Sequence, residues 1–374
     1  MQTRDEKCIA FLAFFAKQKA TLKIQNSTFV LMVLFWRIKH FFLTKNMKGL
    51  IIAGTNNLFT VECDDEKTRL CTIKGKVLKS DKEFYNPLAP GDFVEIEIDS
   101  LNDEKGQIIT LQERKNTFLR WNVKGRCPQL LASNLDYLIL VTTPCEPPFR
   151  PRFIDRALAQ AEHQGITPVV VCNKWDLAQS LLDEGLTQEY EEIETRLKIW
   201  EDLGYKVLRI SAKTGEGMQE FASLLENHLS AFVGQSGVGK SSLINVMDNS
   251  CVLKTGSLSK KYGRGSHTTT KGTLIHLTLN ETLTEGVQGL KANIIDTPGI
   301  RRFVLDDISA DELALYFREF EPFIGKCKFG MNCKHDSEPG CAIHQALEEQ
   351  KITEQRYDSW KRISNEIRTG SWCD

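Results

Sequence analysis

The chain has 374 residues, more than one ordinary hydrophobic core accommodates, so two or three domains are expected. Its 41% hydrophobic and 26% charged residues are those of a soluble globular protein, and a formal net charge of −1 means that any basic surface has to be local. Eleven cysteines, scattered singly except for three near the C-terminus, argue against a disulfide-stapled scaffold and point to a reducing cytosol with one metal site.

Residues 1–46 stand apart, with eight Lys/Arg, two acids (Asp5, Glu6) and apolar runs at Ile9–Ala16 and Phe29–Trp36. The run FVLMVLFW is far shorter than the about 20 residues a spanning helix needs, and no small-residue cleavage site follows it. A start codon chosen upstream of Met47 is the favoured reading. A basic amphipathic membrane-surface segment and an organelle transit peptide are the alternatives. No stable membrane association is expected.

From Met47 to about residue 114, five short alternating runs (GLIIAG, NLFTVEC, RLCTIKG, DFVEIEID, GQIITLQE) are separated by turn residues such as Asn86-Pro87 and Pro90-Gly91-Asp92. That spacing predicts a small antiparallel barrel of OB-fold type, either a nucleic-acid binder or a structural spacer. Arg114, Lys115, Arg120, Trp121, Lys124 and Arg126 then mix basic and aromatic residues. They suit base stacking and an interdomain clamp equally.

A second domain is expected over residues 115–306, and from Leu135 the rhythm changes. Apolar strands DYLILVTT, TPVVVC, YKVLRI and SAFVG alternate with the helical segments FIDRALAQAEHQG, 187–203, GMQEFASLLENH and KSSLINVM. TLIHLTLN and KANIID follow as two paired strands, and the pattern predicts a doubly wound α/β sheet. Residues 307–374 read as helical (ADELALYFREFEPF, then 342–367) around a Cys/His cluster, too small for a large core and in need of a metal staple.

Gly234-Gln235-Ser236-Gly237-Val238-Gly239-Lys240-Ser241, running into Ser242, matches G-x-x-x-x-G-K-[ST] between an apolar strand and a helix. The glycines let backbone N–H groups wrap phosphates, Lys240 is expected to reach the β and γ phosphates, and Ser241 to ligate Mg²⁺. Asp296-Thr-Pro-Gly299 ends the strand ANIID, where Asp296 suits Mg²⁺ and the Gly299 amide suits the γ-phosphate. Asn173-Lys174-Trp175-Asp176 ends PVVVC; the Asp176 carboxylate suits the N1–H and 2-amino donors that guanine has and adenine lacks. Ser211-Ala212-Lys213 ends the next strand and suits a backbone contact to guanine O6. These elements belong to one GTP/GDP site, but the guanine-reading pair precedes the phosphate loop, so the domain is circularly permuted. Between loop and D-x-x-G lies GRGSHTTT, a candidate switch in which Thr269 is the favoured Mg²⁺ ligand, with Thr268 and Thr270 as alternatives. Ile300 stands where many GTPases have a water-orienting glutamine, so His267 becomes the local candidate, against a plain solvated histidine.

Cys327, Cys333, His335 and Cys341 form a Cys₃His set suited to one Zn²⁺, with His344 as a substitute ligand. Lys326, Lys328, Lys334, Arg356, Lys361, Arg362 and Arg368 surround it, readable as an RNA-phosphate surface or a solvated face.

The order NKWD, SAKTGEG, GQSGVGKSSLIN, HTTT, DTPGIR, together with the barrel, the phrases R-x-N-x-x-x-R and LLASNLDYLILV and the Cys/His tail, resembles the RsgA (YjeQ) family of circularly permuted GTPases from Met47 nearly to the C-terminus. The resemblance implies a slow cytoplasmic GTPase, stimulated by the small (30S) ribosomal subunit, that binds rRNA and helps late subunit maturation. It implies a switch histidine at His267 as catalytic group beside Lys240, and a monomer is expected. Three features depart from the family: five residues rather than four between Cys327 and Cys333, a short connection from GMQEFASLLENH to SAFVG, and residues 1–46. The alternatives weighed are a GTP-dependent RNA-binding switch acting on another RNA partner and a metabolic kinase; Asp176 argues against the kinase.

Overall fold

The computed structural model describes residues 46–55, 57–75, 84–122, 127–251, 272–296, 305, 307–328, 330, 333–336 and 338–371. Residues 1–45, the switch candidates His267 and Thr268 to Thr270, Gly299 and Ile300 lie outside the described residues.

Five strands form the N-terminal barrel: β1 (Asn46–Thr55), β2 (Leu58–Cys63), β3 (Thr68–Ile73), β4 (Phe93–Ile98) and β5 (Lys105–Leu111). They run β1-β2-β3-β5-β4, and β4 pairs back onto β1, which closes the sheet. The two-residue alternation read in the sequence sets the inward face: Ile51, Phe59, Val61, Cys71, Val94, Ile96 and Ile108 are buried together.

A two-stranded ribbon that the sequence pattern did not reveal follows, β6 (Thr117–Asn122) with β7 (Cys127–Ser133). Its Phe118, Leu131 and Ala132 enter the core of the next domain. The basic residues at its entry act as a clamp. Arg114 donates to both carboxylate oxygens of the buried Asp92 (2.6 and 2.7 Å) and to the Pro87 carbonyl, while Ser133 Oγ donates to Asp92 at 2.6 Å. Arg120 donates to Gln129 Oε1. Gly91 has φ +94°, and a Cβ there would lie 2.2 Å from the Ser133 carbonyl oxygen, so barrel and ribbon touch through backbone.

The α/β part contains β8 (Tyr137–Thr142), α1 (Pro151–His163), β9 (Thr167–Cys172), α2 (Asp176–Asp183), α3 (Thr187–Asp202), β10 (Lys206–Arg209), α4 (Met218–Leu225), β11 (Leu229–Gly234), α5 (Lys240–Met247), β12 (Thr273–Thr278) and β13 (Lys291–Asp296). The order β10-β9-β8-β11-β13 is parallel throughout, with β12 antiparallel to β13. Successive residues of β8 face opposite layers. Leu138 and Leu140 pack with α1 and α3 residues such as Leu158 and Trp200, whereas Ile139 and Val141 pack with α4 and α5 residues such as Phe221 and Leu243. β12 also pairs with β1 at Ala53↔Thr273, so barrel and α/β sheet join into one eleven-stranded sheet.

The C-terminal part departs from the expected helices. ADELALYFREFEPF makes two short 3₁₀ turns, Leu313–Tyr316 and Glu321–Phe323, rather than an α-helix. Phe317 and Phe320 are fully buried, Phe317 packing on Phe320 and Phe320 on Trp360, and Pro322 removes a ladder donor, so packing of the aromatic rings takes precedence over backbone periodicity. The stretch expected as one helix over 342–367 is two, α6 (Ala342–Glu348) and α7 (Glu354–Thr369). The break passes through Gln350 at φ +56° and Thr353, whose side chain caps α7 by accepting from Arg356 N.

This part docks on α1 and α3 through buried charges. Asp155 of α1, fully buried, accepts from Trp200 Nε1 (2.7 Å), Arg196 (3.0 Å) and Arg356 of α7, and Arg356 also donates to Glu319 (2.5 Å). Burial alone would push the Asp155 carboxyl up, but Arg356 and Arg196 hold it below the ordinary carboxylate range. Arg156 pairs with Glu366 (2.5 Å), and Arg318 with Glu162 (2.6 Å).

Candidate functional site

Four stretches far apart in the sequence meet at the C-terminal ends of the parallel strands: the tips of β9, β10, β11 and β13. The central residue is Asn173, only 1% exposed. Its Nδ2 donates to the Val238 carbonyl in the phosphate loop (2.8 Å), and its Oδ1 accepts from Ala212 N (3.1 Å). One amide therefore ties NKWD, SAK and the phosphate loop together. This leaves Asn173 facing protein on both sides and engages the Ala212 N–H within the protein.

The loop 234–239 turns from β11 into α5. Gly239 precedes the helix at φ +93°, and a Cβ there would stand 2.4 Å from Asn173 Nδ2, so both backbone conformation and space require glycine. Lys240 Nζ donates to the carbonyls of Gly234 (2.6 Å) and Gln235 (2.9 Å). Burial pushes its ammonium down to about 8, opposed by the charge of Asp296. Ser241 and Ser242 lie in the first turn of α5, half-buried.

Asp296 ends β13 opposite Phe232 of β11, and is 6% exposed. Burial pushes its carboxyl up to about 6, with Lys240 opposing. A desolvated carboxylate with one cation nearby gains from a second, so Asp296 suits a Mg²⁺ ion.

At the other end of the cleft, Ser211 Oγ donates to Asp176 Oδ1 (2.6 Å) and accepts from Thr214 N (3.2 Å), which fixes the carboxylate. Lys213 Nζ lies 3.6 Å from Asp176 Oδ2, but its side chain is 82% exposed and that pair contributes little. Lys174, at φ +60°, donates to the Glu146 carbonyl (2.6 Å). Trp175 packs on Tyr190 with Arg209 over its face at 5.6 Å. The loop 143–150 is a part that the motifs did not reveal. Thr143 Oγ1 donates to the Pro147 carbonyl, and a Cβ on Gly237 would lie 3.8 Å from the Pro147 ring. Its only sequence signal was the proline-rich phrase PCEPPFRPR.

The Cys/His set also converges. Cys327, Cys333, His335 and Cys341 are all buried, with their ligand atoms within 4.8 Å of one another. Cys327 Sγ and Cys341 Sγ each lie 3.5 Å from His335 Nδ1 and 3.9 Å from each other. Tetrahedral Zn²⁺ with its usual bond lengths sets sulfur–nitrogen edges at about 3.6 Å and sulfur–sulfur edges at about 3.8 Å. The donor set fits zinc, and Ala342 N donates to Cys327 Sγ (3.3 Å). His344 bonds instead with the Asp336 carbonyl (2.6 Å) and Tyr357 (3.1 Å), outside the cluster.

A P-loop followed by a strand-tip aspartate, with the NKWD and SAK stretches coming before it in the chain, defines a circularly permuted GTPase. Residues 111–306 match the model of the RsgA GTPase family. A relative from Flavobacterium psychrophilum, named small ribosomal subunit biogenesis GTPase RsgA, is 37% identical over 320 residues, covering 85% of this chain and 92% of its own length. One of the same name from Haemophilus influenzae is 42% identical over 267 residues, 71% and 70% of the two chains. Among solved structures, YjeQ from Thermotoga maritima is similar with TM-score 0.64 and 29% identity over 87% of this chain and 99% of that one. YloQ, described as a circularly permuted GTPase, gives 0.60 and 25% over 88% and 98%. The chain belongs to the RsgA GTPase family.

Proposed function

We propose that the chain hydrolyses GTP as an assembly factor in late maturation of the small ribosomal subunit, acting in the cytoplasm as an rRNA-binding monomer. The parts would be an OB-fold over 47–114, the permuted GTPase over 115–306 and a zinc-binding tail over 307–374. The observation that carries the nucleotide reading is the Asn173 bridge, which brings base-reading and phosphate-binding loops into one cleft despite their reversed order.

In this reading Asp176, oriented by Ser211, accepts the two guanine donors, and the Lys174 stem covers the base. Backbone N–H groups of 235–242 hold the phosphates, and Lys240 neutralises charge that builds on the β–γ bridge. Ser241, Asp296 and Thr269 would hold Mg²⁺, which supplies Lewis-acid stabilisation of the phosphates. His267 orients the attacking water for in-line displacement, and Gly299 donates to the γ-phosphate. Cys327, Cys333, His335 and Cys341 would hold one Zn²⁺, which supplies the tail with a structural cross-link.

The test is GTP turnover by the full chain with and without purified small ribosomal subunits, with ATP as control. A GTP-specific stimulation by subunits is expected. GTP binding without stimulation would refute the ribosomal reading while leaving the GTPase.

A further inference from the structure

A second cleft, of about 420 Å³, opens on the seam between the α/β part and the C-terminal part. It is separate from the nucleotide cleft and none of the motifs reaches it. Its walls are the loop before α1, the first turns of α1, Arg196 of α3 and the residues Asp358, Ser359 and Arg362 of α7. Five arginines line it, Arg150, Arg152, Arg156, Arg196 and Arg362, against one carboxylate, Asp358.

Those arginines are held differently. Arg156 and Arg152 reach Glu366 (2.5 and 4.0 Å), and Arg362 pairs with Asp358 one helical turn away (2.9 Å). Arg150 is exposed and makes no ion pair among the described residues. Arg196 is the informative one. It is 7% exposed, and its Nη2 is used by Asp155, Ser359 and the Gln355 carbonyl. Its Nη1 is buried with no hydrogen-bond partner among the described residues. A buried guanidinium donor without an acceptor is costly, and turning that nitrogen out onto an anion bound in the cleft would satisfy it. The N-terminus of α1 also opens here, capped by Arg150 without a side-chain acceptor and with no acidic residue in its first turn. Its dipole therefore adds positive potential to the same cleft.

The geometry points to a phosphate-binding pocket at this seam, with Arg150 and Arg362 as the outer clamp and Arg196 as the inner donor, that takes a phosphodiester of an RNA backbone. Arginine forks match phosphate oxygens, and a cleft whose lining carries five arginines against one carboxylate holds an excess of positive charge. Because the pocket is built from both parts, an occupied pocket cross-links α1 and α3 to α7. The loop that supplies Arg150 also carries Glu146 and Pro147, which touch Lys174 and lie against the phosphate loop, so occupancy is read close to the nucleotide. Only the source of the phosphate rests on the ribosomal reading.

The test uses the full chain saturated with GDP, so that the nucleotide cleft is blocked. Three probes are titrated: a short single-stranded RNA oligonucleotide, purified small ribosomal subunits, and inorganic pyrophosphate in competition with the RNA. The variant Arg150→Glu/Arg362→Glu is compared with Arg150→Lys/Arg362→Lys. The Glu pair is expected to bind RNA and subunits about tenfold more weakly or worse at physiological salt, with a shallower salt dependence. The Lys pair should stay near wild type, and basal GTP turnover should be unchanged in both. Pyrophosphate that displaces RNA from wild type supports a pocket open to free oligophosphates as well; failure to displace restricts the source to the RNA backbone. Equal affinities of wild type and the Glu pair for all three probes would overturn the pocket. Wild type that ignores subunits, yet binds RNA or pyrophosphate through Arg150 and Arg362, would refute the ribosomal reading and leave the pocket standing.

Discussion

Asp155→Asn isolates what holds the C-terminal part in place. The native carboxylate is fully buried and receives Arg356, Arg196 and Trp200 Nε1. The amide keeps the shape and one acceptor, which Trp200 can still use, but turns N–H donors towards guanidinium donors. Removing one member of a buried ion network costs about 3–5 kcal/mol, because the remaining charge is left desolvated. Here Arg356 retains Glu319 and Arg196 retains Ser359, which puts the value near the lower end, about 3 kcal/mol. That corresponds to about a hundredfold. The assay is native-state hydrogen exchange, since a protein of several parts has no single unfolding free energy. Exchange in Glu354–Thr369 should accelerate about a hundredfold while the barrel strands stay unchanged. Asp202→Ala, which breaks only the exposed Lys198–Asp202 pair, should change nothing measurable. Because the Asp155 pKa is depressed in the folded protein, its contribution is complete above the unfolded value and is lost only as pH falls through the folded one. At neutral pH the α7 protection should therefore be independent of pH. Unchanged α7 exchange in Asp155→Asn would refute the reasoning.

Three further outcomes are expected. Gly239→Ala places a Cβ 2.4 Å from Asn173 Nδ2 in a backbone region costing about 1–2 kcal/mol for alanine; GDP affinity by calorimetry should fall more than about tenfold, with circular dichroism unchanged. Lys240 is depressed to about 8 in the nucleotide-free protein, and phosphate favours its charged form, so GDP affinity should fall as pH rises through 8, by up to about tenfold per unit. Calorimetry at pH 9 in buffers of different ionisation enthalpy should then report proton uptake, and its absence would remove Lys240 from phosphate binding. Cys341→Ser removes one of the four clustered ligands; elemental analysis should show zinc lost, and α7 exchange should speed up while GTP affinity remains.

The barrel and the α/β sheet were legible because their signals are periodic and local. Alternation in LFTVEC and apolar runs such as YLILVT follow directly from burying one face or two. The phosphate loop was legible because Gly239 and Lys240 are demanded by backbone geometry and charge. What escaped depends on contacts distant in sequence. Asn173 read as a base-binding residue, but its bonds to Val238 and Ala212 span 65 and 39 residues. Asp155 sat unremarked in an amphipathic helix, and its partner Arg356 is 201 residues away. The 3₁₀ turns at Leu313 and Glu321 escaped because buried Phe317 and Phe320 set the path there, not the backbone ladder.

The least legible feature bears most on how nucleotide state could reach the barrel. Thr273 pairs across the sheet with Asp296 on one side and Ala53 of the barrel on the other. It therefore stands one strand from the carboxylate that suits Mg²⁺ and one strand from the OB-type barrel. Adjacent strands lie about 4.8 Å apart and share backbone hydrogen bonds, so a shift at the tip of β13 cannot be absorbed by a flexible linker before it meets β1. Permutation sharpens this coupling. It frees the chain after Asp296 to run into the C-terminal part, while β12 returns to the barrel on the other side. The phosphate end of the cleft is thus fastened to one module by sheet pairing and to the other by chain continuity.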